Sequence, residues 1–344
     1  MFDFFIVGAG PAGTYLGYTL SKKGYKVCIT DHTKIGAPLK CSGHVSKELF
    51  NFIPYKRGIV ERKIYGARFH FNNTTRTISR KRPFSFVINR PRLDRFIASL
   101  ARKEGCVFKK EKFLDMKKDD NGITVMTDKN KYKTKMLAGC DGPLSDVRER
   151  AKIQGPKKYL QGIFSYIDKQ NSQNFVDVYH DQVKDFFAWK IPRSGSYEYG
   201  LATGLKRNAK AEFKDFCGKH NISAERIYSG IIPIGPPRKI CSSSVFLVGD
   251  AAAQVKPFTG GGIIYSMIAA KIAAETVVPD DPKSVEKYDS KWRNKLLTEI
   301  RLGNMIKNIY RLPVCCKSIL FSSIKLVPES VQMDKPTTFI KKLA

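Results

Sequence analysis

The chain has 344 residues, of which 42% are hydrophobic and 27% charged, and its 61 Lys and Arg against 31 Asp and Glu leave a formal net charge of +30. That composition is the one of an ordinary soluble globular protein, and the length accommodates about two domains at about 150 residues each. The eight cysteines form no CxxC pair and no zinc-ligand spacing, which excludes a metal site of the finger type and leaves most of them as free thiols in a reducing compartment.

The chain opens on an apolar run, Phe2 to Val7, that meets Gly8-Ala9-Gly10-Pro11-Ala12-Gly13. A helix-length segment, a second apolar run from Lys26 to Thr30 and the acid Asp31 follow. Strand, glycine turn, helix, strand and carboxylate at this spacing are the βαβ fingerprint of dinucleotide binding. Gly8 permits the tight turn, Gly10 lets backbone approach a pyrophosphate and Gly13 lets helix and strand pack closely. The pyrophosphate is expected on the helix N-terminus, where unpaired N–H groups favour negative charge. Gly8, Gly10, Ala12 and Gly13 are therefore candidate cofactor contacts, with Asp31 placed to accept hydrogen bonds from a ribose.

The segment 35–44 is a loop punctuated by glycine and proline. Residues 62–88 alternate apolar and polar, the strand period, and are expected to leave the first domain and start a second sheet. A proline-started helix over 89–101 places Leu93, Phe96, Ile97 and Leu100 on one face. Lysine-rich strands around 123–126 and 131–137 suit a small meander, after which Gly139-Cys140-Asp141-Gly142 returns the chain to the nucleotide domain. Residues 159–240 read as strands rich in aromatics and hold Phe187-Ala188-Trp189-Lys190-Ile191-Pro192, a natural wall for an apolar ligand. A buried strand then ends in Gly249-Asp250, and Pro257 to Gly262 leads into a helix over 263–277. From 279 onward the chain reads as helical and basic, with an apolar patch at 312–321. The expected organisation is a discontinuous cofactor domain (1–61, 89–158 and 241–278), a β-sheet substrate domain (62–88 and 159–240) and a C-terminal helical region (279–344). No leader and no transmembrane span are expected, since Lys271 and Glu275 interrupt the longest apolar segment.

The first glycine turn with Asp31, the Gly139–Gly142 segment, and Gly249-Asp250-Ala251-Ala252 with Pro257-x-x-Gly260-Gly261-Gly262 together resemble the FAD-binding flavoproteins of the p-hydroxybenzoate hydroxylase fold. That resemblance implies an α/β fold with mixed sheets: a Rossmann-like FAD-binding domain, an inserted antiparallel β-sheet substrate domain and a C-terminal helical segment. It implies FAD as cofactor, with Asp141, Asp250, Gly260, Gly261, Gly262 and Ile263 among its contacts and Arg90 beside it. Within the fold the chain is most similar to the geranylgeranyl reductase branch, including the archaeal digeranylgeranylglycerophospholipid reductases. Lys40-Cys41-Ser42-Gly43 resembles the branch's cysteine-bearing loop, which makes Cys41 and Ser42 expected flavin neighbours. The Phe187 to Pro192 segment resembles its YxWxFP motif, with Phe187 replacing the tyrosine and Ile191 the phenylalanine. Hydroxylases of this fold carry a histidine after GDAA and a later GQGxN, whereas this chain has Ala253-Gln254 and Gly260-Gly261-Gly262-Ile263. The departures favour reduction over oxygen chemistry.

The resemblance implies FAD-dependent reduction of C=C bonds in geranylgeranyl chains of isoprenoid lipids, with Phe187 and Trp189 as the wall and Cys41 as proton donor, redox partner or flavin contact. An ordinary thiol is mostly protonated at neutral pH and is able to donate. A single dinucleotide fingerprint points to an external electron donor, a ferredoxin-like protein or a reduced nicotinamide or deazaflavin. The positive charge is scattered, as in Arg80-Lys81-Arg82, Lys109-Lys110 and Lys117-Lys118. It suits an acidic donor or an anionic membrane surface, with the protein cytoplasmic and peripheral at the inner face, and equally a plain solvated face. Two other readings stand beside this one: an FAD-dependent aromatic monooxygenase or halogenase on the same fold, and a flavin-containing nucleic-acid-binding protein. Only the charge suggests the last, and it includes no arginine-rich tail.

Overall fold

A computed structural model describes residues 1–39, 41–308, 312, 321 and 332–340. Its first layer is a sheet whose parallel strands run in the spatial order Val245–Leu247, Lys131–Gly139, Phe2–Val7, Val27–Thr30 and Val107–Lys109. Val27–Thr30, Val245–Leu247 and most of Phe2–Val7 are buried on both faces, which is why they read as continuous apolar runs rather than alternating ones; Phe4, Phe5 and Ile6 are fully buried. Helix α1 (Pro11–Ser21) packs between this sheet, α2 (Arg90–Lys103) and α5 (Ile263–Thr276). Asn89 caps α2 by accepting from the Arg92 N–H, and Pro91 sits in the first turn, so the helix starts where its sequence signals place it. The lysine-rich strand Lys131–Gly139 is central: it pairs in parallel with Phe2–Val7 and antiparallel with Gly122–Thr127, joining the meander to the parallel layer.

The second layer is a seven-stranded sheet in the order Ile227–Ile234, Lys158–Asp168, Ser196–Gly204, Ala188–Pro192, Phe175–Tyr179, Gly66–Phe71 and Thr74–Ser79. It is antiparallel except at one junction, where Gly66–Phe71 runs parallel to Phe175–Tyr179. Of the alternating segment 62–88, Gly66–Phe71 and Thr74–Ser79 join this sheet. Val60–Ile64 and Ser85–Ile88 instead pair with each other, and His44–Ser46 completes a separate three-stranded sheet. The aromatic-rich stretch 159–240 is not all strand, since α4 (Ala209–Lys219) covers one face of the large sheet. Its Asn208 cap and the buried Phe213, Phe216 and Cys217 make it an ordinary amphipathic helix. Helix α3 (Asp146–Arg150) packs on the strands Phe113–Asp119 and Lys131–Gly139, while the long helix α6 (Ser284–Asn308) packs on α5 and closes the core with Tyr288 and Trp292, both fully buried. Among the described residues no helix is long and apolar enough to cross a membrane. The apolar patch at 312–321 lies outside the described residues apart from its two ends, as does Lys40.

Candidate active site

Two cavities, of about 500 and about 280 Å³, lie along the carboxyl ends of the parallel strands and share Gly10, Cys41, Arg90, Cys140 and Gly142 in their walls. The glycine turn builds that wall. Gly8 takes φ +105°, and a Cβ on it would lie 2.3 Å from the Cys140 carbonyl oxygen; one on Gly13 would lie 2.0 Å from the Gly8 carbonyl oxygen. Only glycine permits either approach. Gly10 differs, because a Cβ there would meet nothing within 4 Å. It caps α1 without a side-chain hydrogen bond, and Gly10, Pro11 and Ala12 at the start of the helix line the larger cavity. Asp31 lines the smaller cavity, one carboxylate oxygen accepting from the Ala9 N–H at 2.8 Å and the other from Thr33. Its carboxylate thus holds the loop that forms the cradle. Asp141 is similarly committed, accepting from Ser145 Oγ at 2.6 Å and from the Val147 N–H at the start of α3; burial pushes its pKa up against those bonds.

At the larger cavity, Asp250 and the turn Gly260-Gly261-Gly262 meet the start of α5, a second helix N-terminus without a side-chain cap. A Cβ on Gly262 would sit 2.8 Å from Asp250 Oδ1. The Asp250 carboxylate has no hydrogen-bond donor among the described residues, and burial pushes its pKa up to about 6, with Arg90 pulling the other way. Gln254 does not face the chemistry: its Oε1 accepts from the Gly249 N–H and its Nε2 donates to Tyr288, pinning the turn after the strand. Arg148, which the motifs do not mark, is buried and donates to the Ala251 and Pro143 carbonyls at 3.0 Å, tying the Asp141 and Asp250 segments together.

Arg90 and Cys41 stand where the cavities join. The Arg90 guanidinium pairs with Asp94 at 3.2 Å and hydrogen bonds to the Cys41 side chain, whose sulfur also accepts from the Gly43 N–H at 3.4 Å. Burial opposes the Arg90 charge, but the Asp94 carboxylate counters it and the net pKa is raised. Three further groups beside the glycine turn carry no motif. Lys256 is 3% exposed and pairs with Asp334 at 2.6 Å, in a segment 78 residues further along the chain. His44 hydrogen bonds to Ser85 Oγ, and burial followed by the Lys256 charge holds its pKa down to about 4.

The aromatic segment supplies the opposite wall. Strand alternation turns Trp189 and Ile191 toward the larger cavity, with Phe164, Phe187 and Val176 beside them. Register places Trp189 against Gly200, and a Cβ there would come within 2.5 Å of the indole, so the missing side chain is the space the ring occupies. The indole N–H donates to Glu198 Oε1 at 2.8 Å, which gives the wall a fixed polar anchor as well as a surface. Sheet and turn touch, since a Cβ on Gly260 would lie 3.1 Å from Ile232 Cδ1.

A cleft with two helix N-termini lacking side-chain caps, an open glycine cradle and a half-buried carboxylate with no donor among the described residues fits a dinucleotide with a hydroxyl-bearing linker. Residues 1–199 match the family model described as FAD binding domain. The chain belongs to the FAD-binding domain family. FAD is its cofactor, and the protein is an FAD-dependent oxidoreductase. It is 28% identical to digeranylgeranylglycerophospholipid reductase 1 of Methanococcoides burtonii, over 90% of this chain and 84% of that one. It is 27% identical to an uncharacterised protein of Methanocaldococcus jannaschii, again over 90% and 84%. The solved structure of a geranylgeranyl bacteriochlorophyll reductase-like protein from Thermoplasma acidophilum superimposes with a TM-score of 0.87 at 20% identity, covering all of this chain and 96% of the other. At that identity it shows the shared fold. The likeness to geranylgeranyl reductases read from the short motifs thus extends over nearly the whole length of the chain.

Proposed function

We propose that this protein reduces isolated C=C bonds in the geranylgeranyl chains of isoprenoid membrane lipids. The observation that carries the reading is the continuity of the larger cavity: it begins at Gly10, Asp250 and Gly260–Gly262 and runs on between Ala67, Phe69, Phe164, Val176 and Trp189. A polar cofactor cleft therefore opens directly into an apolar channel, the surroundings a hydrocarbon chain requires. When bound, FAD supplies two-electron transfer as hydride. The chain's own residues position the alkene and exclude water. Saturating an isolated double bond takes a hydride at one carbon and a proton at its neighbour. Cys41, half-buried at the mouth shared by both cavities, is the residue we assign to hold that proton. His44 is a weaker choice, since a pKa near 4 leaves its ring without an extra proton at neutral pH.

A lipid substrate gives the surplus of positive charge a use, because each Lys or Arg near an anionic surface contributes about 1 kcal/mol of attraction. The same surface suits an acidic electron donor. The test is anaerobic: reduce the FAD-loaded protein with dithionite, add geranylgeranylated glycerophospholipid, and follow flavin reoxidation together with lipid mass. Reoxidation with a gain of two hydrogens per double bond supports the reading. Flavin that stays reduced until oxygen enters refutes it and favours the monooxygenase alternative.

A further inference from the structure

Arg193 closes the aromatic motif at its far end, just after Pro192, where the chain turns between Ala188–Pro192 and Ser196–Gly204. Its side chain is 7% exposed and does more than neutralise a neighbour. One terminal nitrogen donates to the Ser42 carbonyl at 2.5 Å and to Glu198 Oε2 at 3.1 Å; the other donates to the Ile88 carbonyl at 3.1 Å and pairs with Glu61 at 2.9 Å. Glu198 is fully buried and its second oxygen accepts from the Trp189 indole. An unbroken series of hydrogen bonds therefore runs from the residue beside Cys41, through Arg193 and Glu198, to the ring on the cavity wall. Ile88 strengthens the near end, because its N–H donates to the Gly43 carbonyl while its own carbonyl accepts from Arg193.

Desolvating a guanidinium and a carboxylate is costly, and the attraction within the pair commonly no more than offsets it. Stability alone is thus a weak reason for the pair. What sets it apart from a structural ion pair is its two ends: Cys41, Ser42 and Trp189 all line the larger cavity, reached from different sheets. A planar guanidinium with donors at fixed angles suits this role, because it satisfies several acceptors in one arrangement where an ammonium would not.

We propose that Arg193 and Glu198 are positioning residues that lock the Cys41–Ser42 turn and the Trp189 indole into one mutual arrangement, so that the thiol and the aromatic wall face a substrate at fixed separation. The purpose of that arrangement rests on the proposed reduction, but its existence is tested without substrate. Hydrogen exchange is measured by mass spectrometry on the FAD-loaded protein, for the segment 41–46 and, as control, for α1. Arg193→Lys keeps the charge and loses the fork, and is expected to speed exchange in the segment 41–46 by about tenfold while α1 is unchanged. Trp189→Phe, which removes only the indole donor at the other end, is expected to speed the same segment by about threefold in the wild-type background and not at all in Arg193→Lys. If Arg193→Lys does not fold, the isosteric Glu198→Gln breaks the same link from its middle and replaces it in the cycle. Unchanged exchange in the segment 41–46, or effects of the two substitutions that simply multiply, overturns the coupling. A wild-type protein that shows this coupling yet reduces no lipid would count against the proposed function alone, so the two failures are separable.

Discussion

Asp250→Asn separates what the fold needs from what the cofactor needs. In the cofactor-free protein the carboxylate is half-buried against the Gly262 turn with no donor among the described residues, and partial desolvation raises its pKa from 3.8 to about 6. A group that binds its proton more tightly when folded stabilises the fold at low pH and loses that contribution as pH rises through its folded pKa. The Asp250 contribution is therefore fully present below about pH 4 and gone above about pH 6, a swing of about 3 kcal/mol at 1.36 kcal/mol per pKa unit. Asparagine has no charge to desolvate. The cofactor-free variant should be more stable than wild type at pH 7.5 by up to about 3 kcal/mol, with the difference vanishing toward pH 4. FAD binding should move the other way, because a carboxylate accepting from ligand hydroxyls is worth about 1.5–3 kcal/mol, or a loss of about 10- to 150-fold in affinity. Denaturant unfolding of the cofactor-free protein across pH, with FAD titration by flavin fluorescence, reads both. A variant with wild-type FAD affinity and no stabilisation at pH 7.5 would refute the assignment of Asp250 as a cofactor group.

Gly200→Ala puts a methyl group 2.5 Å from the Trp189 ring and 2.7 Å from Phe164 Cβ. Overpacking of this kind costs about 1–3 kcal/mol; the expected outcome is a lower denaturation midpoint and a raised KM for lipid with FAD still bound, and an unchanged KM would show that the indole is not part of the substrate wall. Gly13→Ala drives a Cβ to 2.0 Å from a backbone oxygen that has no freedom to retreat, so the purified variant should carry no flavin by absorbance. Lys256→Met leaves the Asp334 carboxylate buried and unpaired, at about 3–5 kcal/mol. Adding Asp334→Asn should recover most of that loss in chemical denaturation, and a double variant no better than the single one would remove the ion pair from the account of how the C-terminal segment docks.

The glycine-turn half of the candidate site is legible in the sequence because its geometry is local. A glycine turn, its strand, its helix and Asp31 lie within 31 residues, and close approaches of backbone to backbone leave only glycine at Gly8 and Gly13. The three segments expected at the cofactor are far apart in sequence but each ends a parallel strand, so one topological rule gathers them at the same edge. The aromatic half of the candidate site obeys no such rule. Trp189 was visible as an aromatic, but its orientation depends on a vacant Cβ at Gly200, eleven residues away and adjacent only through antiparallel register. The helix α4 is hidden among the aromatic strands around it, although Asn208 followed by Glu212 marks its start. The ion pairs were out of reach for a plainer reason: Lys256 with Asp334 and Arg193 with Glu61 carry no characteristic spacing, since the fold alone sets the separation. In a chain with 61 cations, composition singles out none of them. Burial picks out some of them, because a charge removed from water must be met by partners; the buried Arg148, Arg193 and Lys256 and the half-buried Arg90 stand against the walls or turns of one cleft.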